Sequence, residues 1–416
     1  MKRKLFLITE RFPYGNDEKS FIMPELPYLA EEYDLTIISC ADKRLPEEEE
    51  PIKRVNPNIN IIIYERKKET IFLMLSFWRK VITSSIVGKE IVRLKKKNLR
   101  TIYYVVLYYI RARLFAEWLY SALDQEDLEN GIFYSYWAYT QLFGLVLLKE
   151  KYPNMKIITR IHGFDLYNDR SPIKYQPYKI FMDKAVQYFV FIAQKGKEYY
   201  CRTYVEEANE QKYQVCKLGI QGGNCIGEHG KTETFHIVSC SKIIPIKRVD
   251  LLIKGLALIS DIKIKWTHFG SGNDIEKMEL LASELLGENI SFEFKGYVSN
   301  EDIMSYYRTN SIDCFITTSS TEGCPVSIME ALSFGIPIVG TAVGEIPLMI
   351  DGNGILLSEN PSEQMVADAI RKIFQIRLTQ EYTEMCERSL ELWRKEYDIK
   401  KNVVKFMHIL SKLKEM

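Results

Sequence analysis

The stretch TEGCPVSIMEALSFGIPIVGTAVGEIP, residues 321–347, decides how this chain is read. It follows the apolar run CFITT, which reads as a strand of a parallel sheet. The stretch therefore starts at a strand's carboxyl end, where open α/β sheets bind their ligands. Pro325 suits the first turn of a helix, Gly335 suits its stop, and IPIVG begins the next strand. The helix start near 325–327 offers free amides and the positive end of a dipole. Glu322 precedes that start, and Glu330 follows it by about one turn. Carboxylates so placed can hold two separate hydroxyl-bearing groups through short, strong hydrogen bonds. Spacing alone fits equally a solvated helix residue and an acid favoured by the helix dipole.

Three more clusters fall at strand ends. SCSKIIPIKRVD, residues 239–250, joins the strand FHIVSC to the helical pattern VDLLIKGLALI. Lys242 and Lys247 there could neutralise a diphosphate, most usefully as charge builds on a leaving phosphate. Alone, the loop would read as solvated basic surface. RIHGFD, residues 160–165, sets His162 and Asp165 after the strand KIIT, although a lone histidine is more often structural. FGSGND, residues 269–274, has glycines at 270 and 272 but none at 275. It is a tight strand-to-helix turn and not the dinucleotide fingerprint. There is no Asp-x-Asp triplet and no His-Glu-x-x-His, so the usual metal-site spacings are missing.

With 416 residues the chain is too long for one core, and two domains are expected. Hydrophobic residues make up 46% and charged residues 27%, the balance of a globular protein, and the net charge of +1 excludes a global field for nucleic acid. Eight scattered cysteines form no Cys-x-x-Cys pair and read as reduced, mostly buried thiols of a cytoplasmic protein. The apolar run Leu5 to Ile8 is too short for a signal-peptide core and reads as a first strand. No window of about 18 uncharged apolar residues suggests a membrane-spanning helix.

Strand-like runs alternate with helical patterns throughout, as in parallel α/β sheets. The first half carries KLFLIT, LTIIS, INIII, IFYS, KIITRI, YFVFIA and QVCKL. The second carries FHIVSC, IKWTHFG, ISFEFKG, DCFITT, IPIVG and GILL. Residues 219–234, rich in glycine and polar groups, are the linker candidate. This predicts domains at 1–218 and 219–396, with a last helix in 397–416 that crosses back to the first domain. Residues 71–123 differ in character. Ten basic residues stand between Arg79 and Arg113 against the single acid Glu90, interleaved with Trp78, Tyr103, Tyr104, Tyr108 and Tyr109. Such interleaving suits a peripheral contact with anionic lipid at the inner face of a membrane, and also suits a solvated basic helix beside core aromatics.

On these motifs the chain resembles the retaining glycosyltransferases of family 4. That family has the GT-B fold, in which two doubly wound parallel-sheet, Rossmann-like domains face a central cleft. Residues 321–347 look like its hallmark: two glutamates separated by seven residues, then Gly-x-Pro and a second glycine turn. SKIIPIKRVDLLIKGL resembles its phosphate-binding segment, with Lys242 where an arginine is usual and Lys247 matching the usual lysine. FGSGND and FKGYVSNEDIMSYYR resemble the segments between. HGFD matches the active-site histidine segment. After the first strand, ERFPYGNDEKSFIMPEL replaces the usual glycine-rich loop, leaving only Gly15 for close backbone approach. Similar segments occur in members that build bacterial surface polysaccharides.

The resemblance implies a role for each residue. Glu330 would bind the ribose hydroxyls and Glu322 the donor sugar. The turn Gly323–Pro325 and the amides of Cys324, Val326 and Ser327 would face sugar and phosphates. Lys242 and Lys247 would bind the diphosphate, replacing a metal. Gly270 would form a turn near the ligand, and Gly296, Tyr297 and Val298 would line the base pocket. His162 would meet the donor sugar at the reacting centre, with Gly15 and Asp165 on the acceptor or phosphate side. The implied partners are a nucleoside-diphosphate sugar and a glycan or lipid-linked acceptor, with no metal, no cofactor and no nucleic acid. Two other readings remain: another GT-B enzyme, such as a nucleotide-sugar 2-epimerase or a phosphorylase, and a non-catalytic sugar-nucleotide-binding protein.

Overall fold

The computed structural model describes residues 2–15, 18–65, 77–94, 97–207, 209–227 and 233–415. Parts of the basic aromatic segment, at 71–76 and 95–96, and of the linker candidate, at 228–232, lie outside the described residues. The chain forms two compact units, Met1–Lys217 together with Asn402–Met416, and Leu218–Lys401.

The first unit holds seven parallel strands: β1 (Arg3–Thr9), β2 (Tyr33–Ser39), β3 (Asn60–Ile63), β4 (Ile132–Ser135), β5 (Lys156–Ile161), β6 (Tyr188–Phe191) and β7 (Tyr213–Val215). Their order is β3-β2-β1-β4-β5-β6-β7, so the direction of winding reverses between β1 and β4. Every residue of β4 and β6 is buried, which is why these strands read as unbroken apolar runs. Alternation along the strands splits the core in two. Phe6, Phe133, Ile157 and Phe189 face one layer of helices, and Leu7, Ile132, Tyr134 and Val190 face the other. Register sets Phe6 opposite Phe133, and their rings stack at 5.0 Å.

The basic aromatic segment contributes the helix Leu99–Ala122 to the first of these layers. Tyr108 and Tyr109 are buried against Phe143 and Tyr178, while Trp78 and Tyr103 are exposed. On the other face lies the final helix, Ile399–Glu415. Its stripe Phe406, Ile409, Leu410 and Leu413 is buried in that core, with Phe406 at 4.9 Å from the Tyr134 ring.

An ion pair sits under that helix. Arg160 of β5 is fully buried, and its Nη1 donates to the carboxylate of buried Glu25. The guanidinium also lies 4.6 Å over the Phe406 ring.

The second unit holds six parallel strands: β8 (Phe235–Cys240), β9 (Ile264–Phe269), β10 (Ile290–Phe294), β11 (Cys314–Thr317), β12 (Ile338–Thr341) and β13 (Gly354–Leu357). Their order is β10-β9-β8-β11-β12-β13. The stretch 219–227 packs within this unit, where the Gly223 amide donates to Ser333 Oγ at 3.0 Å. All thirteen strand-like runs of the sequence form strands of these two sheets. All eight cysteines are free thiols.

A charge buried without its partner is costly, and a buried pair replaced whole is not. Glu25→Leu should therefore lower stability by about 3–5 kcal/mol, and Glu25→Leu/Arg160→Met should recover most of that loss. Calorimetric unfolding of the three proteins checks it, and a double variant as weak as the single one would count against the pair.

Candidate active site

In the second unit the loops after β8 and β11 leave adjacent strands, because β8 pairs directly with β11. They are laced together. Arg248 opens the helix Val249–Ala257 from a left-handed backbone, φ 47°. Its guanidinium donates to Thr318 O at 2.6 Å and Ser319 O at 2.9 Å. Thr318 Oγ1 donates back to Arg248 O at 2.8 Å, and the Ser320 amide to Ile246 O at 2.8 Å. This lacing delivers Lys247 to Glu322. Lys247 Nζ donates to Glu322 Oε1 at 2.5 Å, and Ser319 Oγ donates to the same oxygen at 2.6 Å.

Two glycines are required by close approach. Gly344, at φ +56°, lies where a Cβ would stand 2.3 Å from Glu322 O, and the Glu345 amide donates to Gly323 O at 2.9 Å. The second glycine turn of the hallmark thus supports the backbone of the first glutamate. Gly270, at φ +131°, lies where a Cβ would stand 1.9 Å from Ser241 O. Its amide donates to Gly296 O at 2.8 Å. It therefore holds together the loop that carries Lys242 and the loop that carries Gly296, Tyr297 and Val298. Lys242 and Tyr297 are exposed, and Val298 is half-buried.

Pro325 caps the helix Val326–Leu332 without a side-chain hydrogen bond. Gly323 is exposed, and Cys324, Pro325, Val326 and Ser327 are half-buried. Ile328, Met329, Ala331 and Leu332 anchor the helix in the core. Glu330 is buried at 4% exposure and accepts from Asn300 Nδ2, which belongs to the first residue of the helix Asn300–Thr309. Burial pushes the Glu330 carboxyl up to about 8, and the Asn300 amide only partly offsets it.

His162, Asp165 and Gly15 stand in the first unit. The His162 ring lies 4.2 Å from that of Trp137 and 5.0 Å from that of Tyr136. Among the described residues neither ring nitrogen has a hydrogen-bond partner. Burial, with the nearby Arg160 cation, holds the imidazole neutral. Asp165 is enclosed, and its two oxygens take the amides of His162 and Ala138, each at 2.7 Å. It ties the loop after β5 to the loop after β4, and burial pushes its carboxyl up to about 6. Gly15 has φ +105° and open space where a Cβ would stand.

Sequence reasoning missed several residues. The loop after β1 closes around the buried Glu18 carboxylate, which accepts from the amides of Glu10 at 3.0 Å, Arg11 at 2.6 Å and Phe12 at 2.7 Å, and from Trp137 Nε1 at 2.6 Å. Asn300, Ser319 and Arg248 were missed as well. Arg248 binds mainly backbone carbonyls, which carry no residue signature.

Residues 226–391, within the unit that carries this geometry, match the family model described as glycosyl transferases group 1. An uncharacterized glycosyltransferase of Haemophilus influenzae is 28% identical over 186 residues, 43% of this chain and 50% of that one. The lipopolysaccharide 1,6-galactosyltransferase of Escherichia coli is 34% identical over 119 residues, 27% of this chain and 31% of that one. The chain thus spans about half the length of the first relative and under a third of the second. HepE of Anabaena, solved in complex with UDP and glucose, superposes with a TM-score of 0.68 at 14% identity, covering 99% of this chain and 100% of that one. The fold is GT-B, built from two Rossmann-like domains.

The Glu330 carboxyl gives a pH signature of known sign. Its pKa is higher folded than unfolded, so folding favours the protonated form. That contribution is full below about 4.5 and is lost as pH rises toward about 8. Glu330→Gln carries no such proton. It should match the native chain near pH 4.5 and unfold roughly 5 °C or more above it at pH 9, by calorimetry. Equal midpoints at pH 9 would contradict a buried, proton-retaining carboxyl.

Proposed function

We propose that the protein is a glycosyltransferase, which moves a sugar from a nucleoside diphosphate to a glycan or lipid-linked acceptor with retention at the anomeric carbon. The observation that carries this is the pairing of Lys247 with Glu322 beside buried Glu330 on one sheet edge. The family match over 226–391 and the UDP held by HepE support the same reading. Glu330 would accept from the ribose hydroxyls, which replace the water that burial withholds. Glu322 would accept from hydroxyls of the sugar. The bond from anomeric carbon to diphosphate oxygen breaks, a bond to the acceptor's hydroxyl oxygen forms, and the acceptor's proton leaves on the diphosphate. Lys242 and Lys247 would stabilise the charge that grows on the departing diphosphate, with no metal needed. The chemistry suits synthesis of a cell-surface polysaccharide.

Lys247 links the two glutamates' roles, since a diphosphate competes with Glu322 for its ammonium group. Thermal-shift screening of UDP-, GDP- and ADP-sugars selects the donor, because ligand at 100 times its Kd adds about 2.7 kcal/mol of stability. Glu330→Gln should then weaken binding of the free nucleoside diphosphate by ~10–100-fold. Glu322→Gln should leave that affinity equal or tighter, because Lys247 loses its carboxylate partner, while kcat falls with the full donor. Transfer should persist in excess EDTA. Equal loss of nucleotide affinity in both variants would overturn the pair's assignment, and activity abolished by EDTA and restored by manganese would overturn metal independence.

A peripheral membrane contact is part of the proposal, and rests on the exposed Trp78 and Tyr103 among the basic residues. The protein should float with phosphatidylglycerol vesicles at low salt and be released at high salt. Failure to float at low salt removes the contact.

A further inference from the structure

Among the described residues three histidines are buried: His162, His236 and His268. His236 meets Ser311 O at 2.8 Å and Thr267 Oγ1 at 3.1 Å. His268 meets Ser239 Oγ at 2.8 Å and Ser241 O at 3.2 Å. Each thus uses both ring nitrogens, which offsets the cost of taking a polar ring out of water. His162, at 7% exposure, uses neither among the described residues. A neutral imidazole carries one donor and one acceptor. His162 directly follows β5, at the carboxyl edge where such sheets receive ligands. Its two nitrogens are therefore held for a group that arrives from outside, and sugar hydroxyls, each both donor and acceptor, suit them.

A histidine is usually aimed by a hydrogen bond at its second nitrogen. His162 lacks that bond, so packing must aim it. The nearer ring is that of Trp137, at 4.2 Å, against 5.0 Å for Tyr136. Trp137 is fixed in turn. Its Nε1 donates to Glu18 Oε1 at 2.6 Å, a charge-assisted bond of the stronger kind. The same carboxylate is held by the amides of Glu10, Arg11 and Phe12. The Trp137 carbonyl accepts from Ser135 Oγ at 2.7 Å. The next amide, that of Ala138, shares the Asp165 carboxylate with the amide of His162, each at 2.7 Å. Buried Lys179 donates from Nζ to Ala138 O at 2.5 Å. One carboxylate thus ties the two backbones together, and another ties the indole. A further ring braces it: Tyr139 stacks on Trp137 at 5.9 Å, and with Tyr104 and Tyr108 it lines a cavity of about 410 Å³.

We infer that Trp137 is the positioning residue of His162, and that Glu18, by fixing the indole, sets the direction in which the imidazole meets the sugar being transferred. The inference rests on the transferase reading above and deepens it. His162 touches the sugar, and Trp137 and Glu18 act through His162. The loop after β1 thereby governs a group that stands after β5. Such control matters because a misplacement of about 1 Å at a reacting centre costs on the order of 100-fold in rate.

The test uses the full chain and the nucleotide sugar that the thermal-shift screen selects. Turnover is followed as release of the nucleoside diphosphate, with water as acceptor. Trp137→Leu should lower kcat by about 10–100-fold and leave the Kd of the bare nucleoside diphosphate unchanged. Trp137→Phe keeps a ring without the N–H and should lose less, and Glu18→Gln should resemble it. Once His162→Ala is made, adding Trp137→Leu should cost less than about 2-fold more, because its effect passes through the imidazole. Losses that multiply in the double variant overturn the positioning role and leave Trp137 a packing residue. Native kcat in both Trp137→Phe and Glu18→Gln overturns the part given to Glu18. Should Trp137→Leu fail to fold, Trp137→Phe takes its place in the same cycle.

Isotope labelling of the histidine ring nitrogens gives a readout without turnover. The intact nucleotide sugar should shift the His162 resonances, identified by their loss in His162→Ala, and the bare nucleoside diphosphate should leave them in place. Trp137→Leu should abolish that response and Trp137→Phe should keep part of it. Native resonances that ignore the nucleotide sugar overturn the inference, as does a full response in Trp137→Leu. A chain that binds no nucleoside diphosphate refutes the transferase reading itself, whereas one that binds and cleaves the donor with native kcat in Trp137→Leu refutes the positioning alone.

Discussion

Lys247 and Glu322 are 75 positions apart in the chain, and their contact at 2.5 Å is the constraint around which the second unit's edge is arranged. Neither loop reaches it alone. Parallel pairing of β8 with β11 brings the loops side by side. Arg248 and Thr318 then cross-link them through backbone carbonyls. A cation held against one carboxylate by such a frame needs little rearrangement to meet another anion, and that economy is the basis of preorganised electrostatics. Glu330 has the opposite environment. It is buried with an amide for company, and burial disfavours its charge. Two carboxylates of the same sequence motif thus differ in what they hold, one a cation and the other a proton.

The first unit reaches its order by another route. The loop after β1 has one glycine, Gly15, in place of a glycine-rich run, and its backbone amides gather on a carboxylate. Glu18 gathers three successive amides and an indole N–H. Asp165 does the same for the loops after β4 and β5. Trp137 connects the two arrangements, since its nitrogen bonds Glu18 and its ring packs on His162. Glutamate and tryptophan here do by hydrogen bonding what glycine does by absence of a side chain.

The strands were legible because parallel sheets buried on both faces leave unbroken apolar runs, as in IFYS and YFVF. Glu322 and Glu330 were legible because a strand, a turn and a helix fix their separation within one local segment. Asn300, Glu18 and Arg160 were not, because each acts on a partner that only tertiary folding brings near. The basic aromatic segment shows the limit of composition. Its tyrosines divide between the core, a cavity wall and solvent, and their periodicity is blurred because the helix is contacted on several sides. Glycines after 218 also serve packing, since a Cβ at Gly222 would stand 2.3 Å from Ser333 Cβ.

The first unit is discontinuous in the chain, and this has a consequence for how it is made. Phe406 covers Arg160 and Tyr134, yet it leaves the ribosome only after roughly 180 residues of the other unit, Leu218–Lys401, have been synthesised. At about 5–20 residues per second that interval is ~10–40 s. Throughout it the nascent sheet carries an open apolar face with an ion pair beneath it. The second unit, by contrast, is complete as soon as it emerges. The part of the protein translated first is therefore the last to close, and its exposed face is the natural place for a chaperone to attend during synthesis.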